Sequence, residues 1–334
     1  MGLIGIVPPE ARSVKSHDTI GFMKSFWQKL PKPILALAPM EDVTDTVFRQ
    51  IVALCARPTV FFTEFTSVDG LFSRGREAVI HRLDYTESEC PIIAQIWGNT
   101  PELFYKTATL IAEMKFDGVD INAGCPKKNV TSHGGGACLI QDPPLMKEII
   151  KATKEGGIPV SVKTRLGYKK ISYDWIQFLL EQDLDALIIH GRTVAELSKV
   201  PAHWDEIGKA VKLRNDMSKN TVIIGNGDVI DYRDAVKKCE EYGTDGAMIG
   251  RGIFHNLWAF DKNGVSHMDD HKELLRTLRK HMRLFEQTGK NFAILKKFFK
   301  IYVQGFPHAS DVRERLMETS SSREAEAILD KITV

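Results

Sequence analysis

The run Asn122-Ala123-Gly124-Cys125-Pro126 sets a thiol beside an amide at the start of a loop that continues to Gly134-Gly135-Gly136-Ala137. A cysteine just beyond an apolar run, on a loop able to close over a ligand, is suited to proton transfer. Pro126 stiffens the chain behind it, while the glycines permit close approach and movement. Cys55, Cys138 and Cys239 lack such neighbours and read as buried, inert thiols. Lys163 closes Val160-Ser161-Val162-Lys163 and could neutralise a bound anion or form a Schiff base. His190, in Ile188-Ile189-His190-Gly191-Arg192, could donate to a carbonyl or phosphate oxygen. Two glycine-rich turns, Gly225-Asn226-Gly227-Asp228 and Gly250-Arg251-Gly252, can present backbone N–H groups to an anion. Arg251 would add a charge-assisted contact there. The ten histidines form no HxH or HExxH pattern, so no metal is expected.

These residues sit at the ends of short apolar runs that recur along the chain. The runs are Ile34–Ala38, Val60–Thr63, Pro91–Ile96, Gly118–Ile121, Val160–Lys163, Ala186–Ile189, Val222–Ile224 and Ala247–Ile249. They lack alternation, as strands covered on both faces do. Helical periodicity separates them, for example over Pro101–Met114, Pro144–Lys154, Tyr173–Gln182, Trp204–Leu213 and Tyr232–Glu241. Eight strand-then-helix units predict an α/β fold, a (β/α)8 TIM barrel. No GxGxxG follows the first strand, which disfavours an open doubly wound sheet. In a barrel the strand ends converge on one face. Pro39-Met40, Glu64, Gln95, Asn122, Cys125, Lys163, Arg165, His190, Arg192, Asn226, Asp228 and Arg251 would meet there. Of these, Glu64 and Arg165 are expected to cap the barrel.

The 334 residues allow a large domain and a smaller one, and 43% apolar with 26% charged residues describes a globular chain. No apolar run reaches the roughly 20 residues of a membrane span, and the opening lacks the flanks of a signal peptide. Five cysteines without a CxxC argue against a disulfide framework. A cytoplasmic protein is expected. Net charge is only +2, yet residues 270–300 hold nine Lys/Arg against three Asp/Glu. Around Leu274, Leu275, Leu278, Met282 and Phe285, an apolar stripe, stand Arg276, Arg279, Lys280 and Arg283. Leu295, Phe298, Phe299 and Tyr302 repeat the stripe beside Lys296, Lys297 and Lys300. One-signed charge of this kind suits phosphate contacts. The expected division is an N-terminal extension of no assigned role over 1–30, a barrel over 31–262 and a small C-terminal helical domain over 263–334.

From about Ile34 to Leu329 the chain resembles the tRNA-dihydrouridine synthases. The matching motifs begin with Ala38-Pro39-Met40…Val43-Thr44-Asp45, Ala94-Gln95-Ile96, Asn122…Gly124-Cys125-Pro126 and Gly135-Gly136-Ala137. They continue with Val162-Lys163, His190-Gly191-Arg192-Thr193, Gly225-Asn226-Gly227-Asp228 and Met248-Ile249-Gly250-Arg251-Gly252. Each is short; their order at barrel spacing is specific. The resemblance implies a barrel holding flavin mononucleotide (FMN) and a helical domain that grips tRNA. Pro39, Met40 and Glu41 would approach the flavin ring, although the family often carries a small residue at the Glu41 position. Gln95 and Lys163 would bond the ring's polar edge, and His190, Asn226, Gly227, Asp228, Gly250 and Arg251 would hold the ring edge, ribityl chain and phosphate. Asn122 would face the uracil, with Arg192, Arg279, Lys280 and Arg283 as further substrate contacts. Hydride would pass to C6 of a uridine and Cys125 would protonate C5, with NADPH as the electron donor. Competing readings are a flavin-dependent reductase of a small pyrimidine such as dihydroorotate, a Schiff-base aldolase using Lys163, and a non-catalytic RNA-binding barrel. The aldolase leaves Cys125 and Gln95 idle, and the small-molecule reductase leaves the basic tail unexplained.

Overall fold

A computed structural model of the chain describes residues 25–332. Among the described residues, nine short strands form one parallel sheet: β1 (Ile34–Leu37), β2 (Phe61–Phe62), β3 (Thr66–Ser67), β4 (Ile92–Trp97), β5 (Gly118–Ala123), β6 (Val160–Arg165), β7 (Ala186–His190), β8 (Val222–Asn226) and β9 (Gly246–Ile249). The order β1-β9-β8-β7-β6-β5-β4-β2 closes through a parallel bridge between Ala36 and Val60, which makes a barrel. The unit expected over Val60–Thr63 is divided. Between its two ladders onto β4, Phe62↔Ile93 and Thr66↔Ile96, four steps on one strand oppose three on the other. Such a bulge bends the strand. Thr63 covers the break by accepting the Gln95 N–H on its hydroxyl at 3.1 Å.

Alternation along the strands sorts the barrel into layers. Ile34, Ala36, Val60, Ile93, Ala186, Ile188, Val222, Ile224 and Met248 pack together inside it. Two residues further along β4, β7 and β8 the inward positions become Gln95, His190 and Asn226. Trp27, on the short helix Phe26–Lys29, is fully buried in this inner cluster. Part of the expected extension therefore plugs the barrel; residues 1–24 lie outside the described residues.

The outward strand faces are covered by helices with clear start signals. Asp45, Asp142, Ser172 and Asp231 each cap a helix by accepting a backbone N–H, and Pro101 and Pro143 stand in first turns. After β3 the covering layer is a single turn, Val68–Leu71, followed by three 3-10 turns. The C-terminal helix His271–Glu286 buries Leu274, Leu275, Leu278, Met282 and Phe285, the stripe its period predicts. Each such side chain contributes about 1.5–3 kcal/mol on burial. Phe292–Phe298 is a 3-10 segment running into the turn Phe299–Tyr302, and Ala309–Glu318 and Ser322–Leu329 complete the helical region. That region is docked on the barrel. Phe48 is fully buried and stacks on Phe298 at 4.9 Å, and Lys290 pairs with Asp45 at 3.4 Å. No helix among the described residues is long and apolar enough to cross a membrane.

Candidate active site

At the C-terminal mouth of the barrel Pro39, Gln95, Asn122, Cys125, Lys163 and His190 line one cavity of about 140 Å³. Phe65, Gly124, Pro126 and Arg165 complete its wall. A wider cavity, about 1220 Å³, opens beside Ser25, Lys32, Arg214 and Asp245. It carries no strand-end chemistry: Asp245 pairs with both Lys32 and Arg214.

Cys125 is placed by its neighbours. Asn122 Oδ1 accepts the N–H groups of Gly124 at 3.1 Å and Cys125 at 3.0 Å. Across the loop, the Ala137 N–H donates to the Cys125 carbonyl at 3.0 Å. Gly136 has φ +59°, and a Cβ there would lie 2.7 Å from that carbonyl oxygen, so glycine is required. Burial raises the Cys125 thiol above its ordinary pKa, with Glu41 adding to the rise while Lys127 and Arg165 oppose it. At neutral pH the sulfur keeps its proton. A protonated sulfur is a poor nucleophile.

Beneath it runs a buried chain of side chains. Gln95 Nε2 donates to Asp120 at 2.7 Å, Ser161 Oγ donates to the same carboxylate at 2.6 Å, and Asn122 Nδ2 donates to Gln95 Oε1 at 3.0 Å. Burial pushes Asp120 up to about 6. Lys163 Nζ donates to Asn226 Oδ1 at 3.1 Å, which leaves two of its three N–H groups for a ligand. Burial, then Arg165, lower its ammonium to about 8. The charge is present in neutral solution and fades as pH rises through 8.

His190 is neutral: burial and the cations Lys163, Arg165, Arg192 and Arg251 drive its pKa far down. Arg192 Nη1 lies 3.0 Å from His190 Nε2. A guanidinium only donates, so Nε2 accepts and the ring proton sits on Nδ1. Arg192, expected among the substrate contacts, does not line the cavity. It is 2% exposed and bonded also to Asp228 at 2.5 Å and the Val200 carbonyl at 2.6 Å. Its place is to hold His190 and Asp228. Gly227 has φ +119°, and a Cβ there would meet Ala202 at 2.8 Å and His190 at 3.1 Å. Arg251, 65% exposed, stands 3.6 Å from Asp228 and remains open to an anion.

Glu41 does not line the cavity. Its carboxylate takes Lys127 at 2.9 Å and Arg82 at 3.3 Å, tying the loop after β1 to the loop that carries Cys125. Met40 is half-buried, its N–H on Thr44 Oγ1 at 2.9 Å. Glu64 accepts the Asp42 N–H at 2.6 Å, the capping part expected of it. Arg165 does more than cap: it lines the cavity and donates to the carbonyls of Gly124, Thr193 and Leu197 at 2.9, 3.1 and 3.1 Å. Arg279, Lys280 and Arg283 all lie on the helix His271–Glu286. Arg279 pairs with Asp330 at 2.9 Å and Arg283 stands 3.8 Å from Glu326, so that face is less one-signed than its own helix suggests. Lys280 is exposed. Sequence reasoning does not single out Asp120, Ser161, Arg82 or Lys127; the alternation Asp120, Asn122 and Ser161, Lys163 is the signal that points to the first two. Among the described residues, no three His, Cys, Asp or Glu side chains cluster as metal ligands.

The model of the dihydrouridine synthase family matches residues 36–334. The chain belongs to the dihydrouridine synthase family. A relative in Staphylococcus aureus (strain Mu50), described as a probable tRNA-dihydrouridine synthase, is 49% identical over 92% of this chain and 95% of its own length. A probable tRNA-dihydrouridine synthase 2 of Bacillus subtilis (strain 168) is 47% identical over 92% of this chain and 96% of its own. Among solved structures, morphinone reductase superposes with a TM-score of 0.51 at 14% identity, covering 70% of this chain and 85% of that one. A 2-naphthoyl-CoA reductase gives 0.54 at 11% identity, over 71% of this chain and 50% of that one. At such identities the likeness is one of fold, and it places this family member on a TIM barrel.

Proposed function

We propose that this protein reduces the C5–C6 double bond of a uridine in the D-loop of tRNA to dihydrouridine, with FMN as cofactor and NADPH as electron donor, in the cytoplasm. The observation that carries the reading is Cys125: a thiol kept protonated by burial, on a pinned loop, at the edge of a cavity that also presents Lys163 and His190. The chemistry of the donor set fits a flavin. Lys163 has unused donors, Gln95 keeps one N–H after bonding Asp120, and His190 offers Nδ1–H without a charge. The turn at Gly250, where a Cβ would meet only Ala38 at 3.6 Å, lies beside the exposed Arg251, as suits a phosphate. The cavity, about 140 Å³, is below the roughly 300 Å³ of a typical cofactor pocket, so a mononucleotide would extend beyond it.

A bound flavin would supply the hydride that C6 receives. Cys125 holds the proton that C5 receives. Lys163 sets a positive charge where an electron-rich pyrimidine edge is stabilised by it. Arg192 fixes the His190 tautomer, and Arg251 binds phosphate. A stacked base cannot reach this depth, so the uridine must leave the tRNA stack. The exposed Lys280 and its neighbours supply non-specific phosphate attraction. The test is a comparison of substrates: the purified protein with FMN and NADPH should form dihydrouridine in an unmodified tRNA transcript, and not from free uridine. Efficient turnover of free uridine or orotate, with tRNA inert, would replace this reading with a small-molecule reductase.

A further inference from the structure

We propose that Asp120 is a positioning residue for Cys125: its carboxylate fixes the direction of a hydrogen-bond chain through Gln95 and Asn122 that ends on the N–H groups of Gly124 and Cys125. The proposal rests on the reading above, in which Cys125 is the proton donor.

An ionised carboxylate has no donor. It therefore compels Gln95 to present its NH2 group, at 2.7 Å, and leaves Gln95 Oε1 as the acceptor for Asn122 Nδ2 at 3.0 Å. Asn122 must then turn its oxygen toward Gly124 and Cys125. A side-chain amide has two orientations of nearly the same shape; the N–H groups of Gly124 and Cys125 select one from the loop end, and the Asp120 carboxylate enforces the same one from the foot of the chain. With both amides reversed, the Asn122 NH2 would face two backbone donors and the loop would have to move. Asp120, Gln95 and Asn122 are 0, 1 and 5% exposed, and Asp120 lies below the cavity that the other two line, so its bonds are made in a dry surround where they are strong. The geometry also explains a carboxylate inside a barrel. Lys163 on β6 is the cation facing Asp120, yet its ammonium hydrogen-bonds Asn226 instead.

Asp120 is faced by Gln95 from β4 and by Ser161 and Lys163 from β6. Burial raises its pKa to about 6 against the lowering effect of these three. The acceptor-only carboxylate is therefore present at neutral pH; as pH falls through about 6 Asp120 gains a proton, keeps one accepting oxygen and can also donate, so it no longer enforces the direction. Lys163, at about 8, titrates on the other side of neutrality.

The experiment separates the half-reactions of the flavin-reconstituted enzyme. Asp120→Asn keeps the shape; because it also removes a charge that holds the Lys163 ammonium up, the tRNA step is read relative to flavin reduction by NADPH in the same protein. Reduction of an unmodified tRNA transcript in anaerobic single turnover should fall roughly 10- to 100-fold, the cost of a small misplacement of a reacting group. The wild-type rate of that step should decline below about pH 6, and the decline should vanish in Asp120→Asn. Ser161→Ala removes a bond that favours the charged form, so it should move the decline to higher pH. An Asp120→Asn enzyme as fast as wild type, or one that keeps the same acid decline, overturns the proposal. Should that variant not fold, an unmoved decline in Ser161→Ala overturns it equally. Cys125→Ala is measured alongside. If it is slow while Asp120→Asn is fast, only the relay falls; if it is as fast as wild type, the proton-donor reading itself falls.

Discussion

Arg251→Ala should weaken FMN and leave riboflavin binding unchanged. The guanidinium is 65% exposed, and its carboxylate neighbour Asp228 lies 3.6 Å away, beyond a good hydrogen bond, so its donors are open to a phosphate. Asp228 would not follow the substitution, because Arg192 and the Ala202 N–H hold it at 2.5 and 2.8 Å. A hydrogen bond to a charged group contributes about 1.5–3 kcal/mol, and solvent around Arg251 favours the lower end. About 1.5 kcal/mol corresponds to roughly tenfold in Kd. Asp228 left without Arg251 adds repulsion toward a phosphate, so affinity should drop by between about 10- and 100-fold. Arg251→Lys, which keeps the charge without the fork, should fall between. Titration of the flavin-free protein, followed by quenching of flavin fluorescence, reads both ligands. Equal weakening of FMN and riboflavin would show that Arg251 touches the ring system, and unchanged FMN affinity would remove it from the site.

Replacing Arg279, Lys280 and Arg283 together with alanine should flatten the salt dependence of tRNA binding by about one unit of slope for each phosphate no longer neutralised. Because Arg279 and Arg283 already pair with Asp330 and Glu326, Lys280→Ala alone should account for much of the change; filter binding at several salt concentrations decides it. Lys163→Met should slow flavin reduction at pH 7, and the wild-type rate should decline above about pH 8, where the ammonium loses its proton. A decline that persists unchanged in the methionine variant would assign it to another group. Glu89→Gln should destabilise the fold by about 3–5 kcal/mol in urea titration, since it leaves the fully buried Arg49, now 2.5 Å from that carboxylate, without a counter-charge.

Barrel and cavity are legible in the sequence because both follow from period and chain order. Apolar runs ending in polar residues fold as parallel strands, and alternation alone delivers Gln95, Asn122, Lys163, His190 and Asn226 to one mouth. The residues beneath them are harder to see. Asp120 and Ser161 fall inside stretches that read as apolar strand, and a polar inner layer shows only when positions two apart are compared across neighbouring strands, as Gln95 faces Asp120. The division of the second strand follows from one extra residue, which no local composition marks. Arg192 departs from its expected place for a tertiary reason. Its partners, Val200, Asp228 and His190, come from three places along the chain, and only their packing shows that the guanidinium is enclosed. Charge on the helix His271–Glu286 likewise reads as one-signed until Ser322–Leu329 brings its acids alongside.

The central claim is that Cys125 supplies the proton. Cys125→Ala enzyme, loaded with FMN and reduced by NADPH, is mixed anaerobically with an unmodified tRNA transcript, and dihydrouridine is counted in a single turnover. Without its general acid, that step should slow by about 10²–10⁴-fold while flavin reduction proceeds at the wild-type rate. Dihydrouridine formed at the wild-type rate would contradict the account.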